Sequence, residues 1–174
     1  MSNLLQRALT GALFVAILIG ATLWGQWPFA LLFFVITGLG VWEFYALVAK
    51  SGIIPQKIVG TVLSLLLFAV NAGIALKIIS LDYLLLFIPA LFLLFIGELF
   101  LKKEKPFDSI GLTLLGLGYV AIPFSLLNHL LVITGAYLPQ LLLGVYFILW
   151  ANDTGAYLFG RKFGKRKLWE RISP

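Results

Sequence analysis

An all-α integral membrane protein of about six transmembrane helices, with both termini cytoplasmic, is the fold class this sequence predicts, and three observations predict it. Of the 174 residues, 61% are hydrophobic and 11% charged, against ~25% charged in soluble domains. A soluble fold of this size has too little interior to hide that apolar surface, so the excess faces lipid. Apolar runs recur at the length needed to cross ~30 Å of hydrocarbon, about 20 residues at ~1.5 Å each. With the N-terminus placed in the cytoplasm, twelve of the thirteen basic residues fall in inner segments and only Lys77 falls outside, as the positive-inside rule requires.

The spans follow in order. The first, 8–24, comes after Arg7 and has the outline of a signal peptide. ATLWGQW offers no small-x-small cleavage site, however, and further spans follow at once, so it is read as a retained helix. The second, 28–49, starts at Pro28 after the GQW turn and closes in WEFYALVA. KSGIIPQK leads into the third, 58–79, and SLD into the fourth, 83–101. KKEKPFDS precedes the fifth, 110–133, and TGAY the sixth, 138–159. Trp24, Trp27, Tyr83 and Tyr137 fall where an interfacial aromatic belt belongs. Without repeats or low-complexity tracts, residues 1–174 read as a single polytopic domain, multi-pass in the inner (plasma) membrane.

Composition also excludes. With no cysteine there is no disulfide, thiolate catalysis or Cys-held metal, and a single histidine, His129, rules out a His-rich metal site. The net charge of +6 would suit nucleic acid, but here its placement follows membrane topology, so no nucleic-acid partner is expected.

Ionisable groups inside a span cost at least ~2.5–3.5 kcal/mol at the helix centre, so each needs a reason. Glu43 in VWEFY, Glu98 in FIGELF and Asp153 all lie a few residues inside the inner ends of their spans. Convergence of the three at one level is one reading. The other is that Glu43 and Glu98 snorkel to the interface or pair with Lys50, Lys102 or Lys103. Asn71 reads as interhelical glue, and His129, near the outer end of the fifth span beside Asn128, as a hydrogen-bonding residue.

Asp153 stands apart. It neighbours Asn152 and Thr154, Gly155 lets backbone approach a ligand, and Tyr157 shares its helical face at i+4. Arg161, Lys162, Lys165, Arg166 and Lys167 follow. A carboxylate can hold Mg²⁺ and a cluster of cations can hold phosphates, the parts that phosphoryl or nucleotidyl transfer needs. Basic clusters inside a last helix also serve as topology anchors on anionic lipid, but an anchor has no use for an aspartate above it. Three motif matches fail. Gly155-x4-Gly160-Arg161-Lys162 lacks the Lys-Ser/Thr and the strand of a P-loop. Asp153-Thr154-Gly155 is a single protease-like tripeptide on a membrane helix. The sequon at Asn152 is placed on the cytoplasmic side.

The segment DTGAYLFGRKFGKRKLWERISP, Asp153–Pro174, resembles the phosphatidate cytidylyltransferase (CDP-diacylglycerol synthase) family, whose pattern is D-[ST]-G-A-Y-x-x-G-x-x-[FY]-G-[KR]. LLQRALTGALFVAIL at the start and WEFYALV at the end of the second span fit as well. The resemblance implies attack of a phosphatidate oxygen on the α-phosphorus of CTP, giving CDP-diacylglycerol and pyrophosphate with Mg²⁺ at the cytoplasmic face. It implies Asp153 as the metal or nucleotide-site acid. Asn152, Thr154, Tyr157, Arg161, Lys162, Lys165, Arg166 and Lys167 would be substrate or phosphate-binding residues, and Ser173 would begin a further loop.

The partners implied are CTP, phosphatidate and the bilayer, and a homodimer is left open. The family's S-x-x-K-R-x-x-x-x-K-D and H-G-G-x-x-D-R signatures do not occur in the chain, which is therefore expected to be the N-terminal part of such an enzyme and inactive alone. The competing expectations are a small transporter or channel subunit with Glu43, Glu98 and Asp153 along an ion path, or a non-catalytic scaffold. The transporter reading predicts broken helices, which Gly38, Gly40 and Gly73 permit.

Overall fold

Seven α-helices, joined by one 3₁₀ turn and one wide π turn, make up six hydrophobic crossings in a computed structural model that describes residues 3–164. The helices are α1 (Asn3–Trp24), α2 (Gln26–Ala49), α3 (Lys57–Ala75), α4 (Phe87–Leu101), α5 (Pro106–Gly116), α6 (Ile122–Leu130) and α7 (Pro139–Phe163). A 3₁₀ turn, Leu81–Leu86, leads into α4, and the π turn, Leu117–Ala121, fuses α5 and α6 into one span. No strand occurs among the described residues. The crossings, Leu5–Trp24, Gln26–Ala49, Lys57–Ala75, Leu81–Leu101, Pro106–Leu130 and Pro139–Phe163, are each long and apolar enough to cross a membrane.

The ends differ from the expected ones for local reasons. A single residue, Gly25, reverses the chain between α1 and α2, and its φ of 145° is open to glycine and few others. The third span stops at Ala75 rather than 79. Lys77 enters the left-handed region (φ 60°), and the Ile78 N–H reaches back to the Gly73 carbonyl at 2.9 Å, closing a Schellman-type end. Lys102 (φ 47°) ends α4 in the same region. Pro106 and Pro139 open α5 and α7, where their missing N–H is not needed. Gly38 and Gly40 do not break α2. They make room instead: a Cβ on Gly38 would meet Leu65 at 3.1 Å, and one on Gly40 would meet Val120 at 3.4 Å.

The break falls in the fifth span. Pro123 has no N–H to donate, and in a regular helix its ring would strike the carbonyl four residues back. The wide turn relieves this, with the Ile122 N–H bonding the Leu117 carbonyl. Beside it the Tyr45 ring, fully buried, is wedged between Gly60 of α3 and Gly116 of α5, at both of which a Cβ would collide with it. The Tyr45 hydroxyl donates to the Thr113 carbonyl at 2.7 Å. These two glycines are the physical condition for α2, α3 and α5 to approach.

Around this wedge, Phe29 and Phe33 of α2 stack at 4.4 Å and pack with Phe68, Leu131 and Leu142. Leu63, Leu94, Ile110 and Leu117 form a second cluster. Leu31, Leu39, Leu99 and Ile148 lie on the outside, which is the arrangement lipid demands and water forbids.

Polar contacts fasten both ends. At one, Tyr137 donates to the Thr22 carbonyl at 2.5 Å and His129 Nε2 lies 2.9 Å from Asn71 Oδ1, joining α6 to α3. The interhelical role expected of Asn71, and the hydrogen-bonding role expected of His129, are met in one pair. At the other end Glu98, 1% exposed, accepts from Gln56 Nε2 at 2.5 Å and pairs with Lys103 Nζ at 3.1 Å. The Lys103 ammonium also donates to the Ile54 carbonyl (3.0 Å) and Ser109 Oγ (2.7 Å). The Gln56 N–H caps onto Thr113 Oγ1 at 2.9 Å. Loop 50–56, the end of α4 and the start of α5 are thereby tied into one basic end.

Candidate active site on the last helix

The way α7 meets the bundle decides what its polar residues can do. The Leu138 N–H bonds the Leu131 carbonyl at 2.7 Å, which sets the helix start. Leu142 and Tyr146 are then buried, and Trp150 stacks on Tyr146 with ring centroids 5.7 Å apart. The α7 backbone runs beside α1 and α6, and its Leu142 and Tyr146 side chains join the core cluster that contains Phe29 and Phe33 of α2. From Ala151 to Gly164 every residue except Gly155 is exposed within the described part of the chain. Polar and charged residues begin where burial ends.

On this uncovered half, Asp153, Tyr157 and Arg161 recur every four residues and so form one stripe. The eight-residue separation of Asp153 from Arg161 corresponds to about 12 Å of helix rise. Asn152 and Thr154 flank the carboxylate, and Lys162 follows Arg161 with its Nζ 5.5 Å from the Phe163 ring centroid. Among the described residues no hydrogen bond or ion pair engages the Asp153 side chain. Lys165, Arg166, Lys167 and Ser173, expected to meet phosphates, lie outside the described residues.

The structure does not assemble the three carboxylates. Glu98 is buried and held by Gln56 and Lys103, so the pairing expectation, not convergence, describes it. Glu43 is exposed on α2, as Asp153 is on α7, and no hydrogen bond or ion pair joins the two among the described residues. Among the described residues no three acidic, histidine or cysteine side chains gather as a metal-binding group. An ion path lined by Glu43, Glu98 and Asp153 therefore has no counterpart here. Sequence reasoning also missed Gln56, the hub of the basic end. Its only sequence sign is a polar residue between Pro55 and the first apolar turn of α3, together with Ser109 and Thr113 at helical i, i+4 spacing.

What the stripe offers is one hard oxygen donor, the Asp153 carboxylate, and a cation two turns further on. Asn152 and Thr154 point about 100° to either side of it, so Asp153 alone is of the kind that takes a hard cation whose other ligands are waters and phosphate, as Mg²⁺ is. A profile of the Cytidylyltransferase family matches residues 5–174 of this chain. The chain belongs to the cytidylyltransferase family.

Within that family its relatives include the phosphatidate cytidylyltransferase of Bacillus subtilis (strain 168), 23% identical over 174 residues, covering 100% of this chain and 64% of the relative. The phosphatidate cytidylyltransferase of Staphylococcus epidermidis (strain ATCC 35984) is 31% identical over 121 residues, 70% of this chain and 44% of the relative. That of Staphylococcus saprophyticus is 37% identical over 73 residues, 42% of this chain and 26% of the relative. This cytidylyltransferase chain thus spans less than two thirds of the length of these curated relatives. No solved structure matches it. The resemblance read from Asp153–Pro174 holds at the level of the family.

Proposed function

We propose that this chain supplies the membrane bundle and part of the active site of a phosphatidate cytidylyltransferase, which makes CDP-diacylglycerol and pyrophosphate from phosphatidate and CTP. The observation that carries the reading is the Asp153–Tyr157–Arg161 stripe, exposed on the half of α7 that the bundle leaves uncovered, in a chain whose family match runs to Pro174. The alternative assignment as an ion-conducting subunit lacks such support, since Glu98 is already neutralised by Lys103.

In this reading the basic end faces the cytoplasm, where CTP is found. Lys50, Lys57, Lys102, Lys103, Lys105, Arg161 and Lys162 then lie on the inner side and Lys77 on the outer. Asp153 is the residue that would hold Mg²⁺, whose contribution is to offset phosphate charge, and Asn152 and Thr154 on either side of it are substrate-binding residues. Arg161 and Lys162, with Lys165, Arg166 and Lys167, draw the triphosphate and the lipid phosphate together. Charge-assisted hydrogen bonds from their side chains stabilise the oxygens on which negative charge builds. A phosphatidate oxygen forms the new bond to the α-phosphorus as the α–β bridging bond breaks, and the electron pair leaves with pyrophosphate. Catalysis of this kind is mostly positioning and charge compensation, which suits a rigid helix carrying few groups.

The test is transfer of label from α-³²P CTP into chloroform-extractable lipid, with phosphatidate liposomes and Mg²⁺. It is run on a protein of the relatives' length containing this segment and on residues 1–174 alone. Label from the longer protein that depends on Asp153 supports the reading. Absence of label from a folded longer protein overturns it.

A further inference from the structure

Two cavities share a wall at the basic end, away from α7. One, of about 420 Å³, is lined by the loop after α2 (Gly52, Ile53) and by Lys102, Glu104 and Lys105 after α4. The other, of about 340 Å³, is almost wholly apolar and lies between Pro55, Ile58 and Val59 of the α3 start and Leu101 of α4. Ile54, Leu101 and Lys103 belong to both. The wall is built, because the Lys103 ammonium is fixed by the Ile54 carbonyl, Ser109 and Glu98. A chamber of mixed lining, rimmed by lysines, thus opens beside a greasy one where α4 ends and α3 begins, and Phe107, two residues after Lys105, is 83% exposed.

The charges around the two chambers point to one kind of occupant. Lys103 is matched by Glu98, but neither Lys102 nor Lys105 takes part in an ion pair among the described residues, and Glu104 is the one acid in the lining. Lys57, at the mouth of the apolar chamber, rests over the Trp42 ring at 3.8 Å, an interfacial cation. A free phosphate would use the lysines of the first chamber and leave the other unfilled, and a neutral lipid would gain nothing from the lysines. An amphiphile with an anionic head and a hydrocarbon tail uses both, and basic pockets between membrane helices bind such headgroups.

We propose that the joined cavities form a binding site for an anionic membrane phospholipid, its phosphate headgroup against Lys102 and Lys105 and an acyl chain between Val59 and Leu101. The site is distinct from the stripe on α7, since no residue of α7 lines either cavity. Its occupant bridges the loop after α2 and the loop after α4, the segments that Lys103 already ties together. The proposal stands on these cavities and not on the reaction assigned to α7.

Residues 1–174 in nanodiscs are irradiated with a phosphatidylglycerol carrying a diazirine in one acyl chain, and the labelled peptides are mapped by mass spectrometry. Label is expected in 54–59 and at Leu101. It falls about 25-fold in Lys102→Gln/Lys105→Gln, about five-fold per lysine, and falls in Val59→Phe, which fills the groove. It persists in Arg161→Gln/Lys162→Gln. Equal labelling by the matching phosphatidylcholine probe, or undiminished labelling in the double lysine variant, overturns the proposal. Displacement by glycerol 3-phosphate at the lipid's own concentration reveals a free-phosphate site and overturns it as well. Both lysines are exposed and outside the core, so their replacement leaves the fold available to be tested.

Discussion

The Lys103 ammonium lies 3.1 Å from the Glu98 carboxylate, and the two residues flank the left-handed turn at Lys102 that ends α4. The carboxylate is 1% exposed and the lysine side chain 22%. The pair is thus a buried charge held by a partner that reaches water; Gln56 donates to Oε2, while Oε1 has the ion pair with Lys103 and no hydrogen bond among the described residues.

Removing the cation leaves that carboxylate uncompensated. Lys103→Met is expected to destabilise the bundle by about 3 kcal/mol, and Glu98→Gln by less, since the amide keeps a hydrogen bond. Lys103→Met combined with Glu98→Leu is expected to recover most of the loss. Unfolding of the three variants in detergent, followed by circular dichroism, checks the order.

Gly116→Ala puts a methyl group into the Tyr45 ring and is expected to cost about 1–3 kcal/mol. Tyr45→Phe at an intact Gly116 should cost only about 1 kcal/mol, the hydrogen bond to Thr113. Tyr45→Ala removes the ring, so in that background Gly116→Ala becomes nearly neutral, and a double-mutant cycle of thermal unfolding measures the coupling.

Asp153→Asn in a protein of the relatives' length is expected to lower CTP-dependent lipid labelling by about 100-fold, because the proposed function makes this carboxylate the one that would hold Mg²⁺. Arg161→Gln should act more on KM for CTP than on kcat, as expected of a group that gathers phosphate. Both variants should unfold at the wild-type temperature, since α7 is uncovered where they sit.

Burial, with a smaller effect from the nearby Tyr146, pushes the Tyr137 hydroxyl from its usual 10.0 up to about 12. The folded state therefore holds this proton more tightly than the unfolded state does. The stability it contributes is fully present below about pH 10 and is lost as pH rises to about 12. Tyr137→Phe should remove that increment, flattening the difference in unfolding temperature between about pH 10 and pH 12.

Six crossings were legible because hydrocarbon thickness sets a length that composition must meet, and the apolar runs met it. Their ends moved by a few residues where the backbone chemistry is local and fine, as at Lys77, whose left-handed conformation no hydropathy pattern announces. The wide turn was not legible. Pro123 marks a break, but its accommodation depends on Tyr45 arriving from α2 and on Gly60 and Gly116 making room. The Asp153 motif was legible because stripe and cations are neighbours in sequence, whereas the fate of Glu98 hung on Gln56 and Lys103, which meet it only in three dimensions.

The π turn gives the fifth span a property its neighbours lack. A wide turn spends one residue more than an α turn on the same revolution, so the surplus is confined to Leu117–Ala121 while the segments on either side keep their rotational phase. With Pro123 replaced by alanine, so that no ring opposes a regular coil, the span can lose one residue there, Gly118 for instance, beside which there is open space, with His129 still turned toward Asn71. The same deletion in α2 or α3 would swing every later side chain by about 100° around the axis and trade core for lipid. Among the six crossings, the fifth is the one whose length and facing are uncoupled.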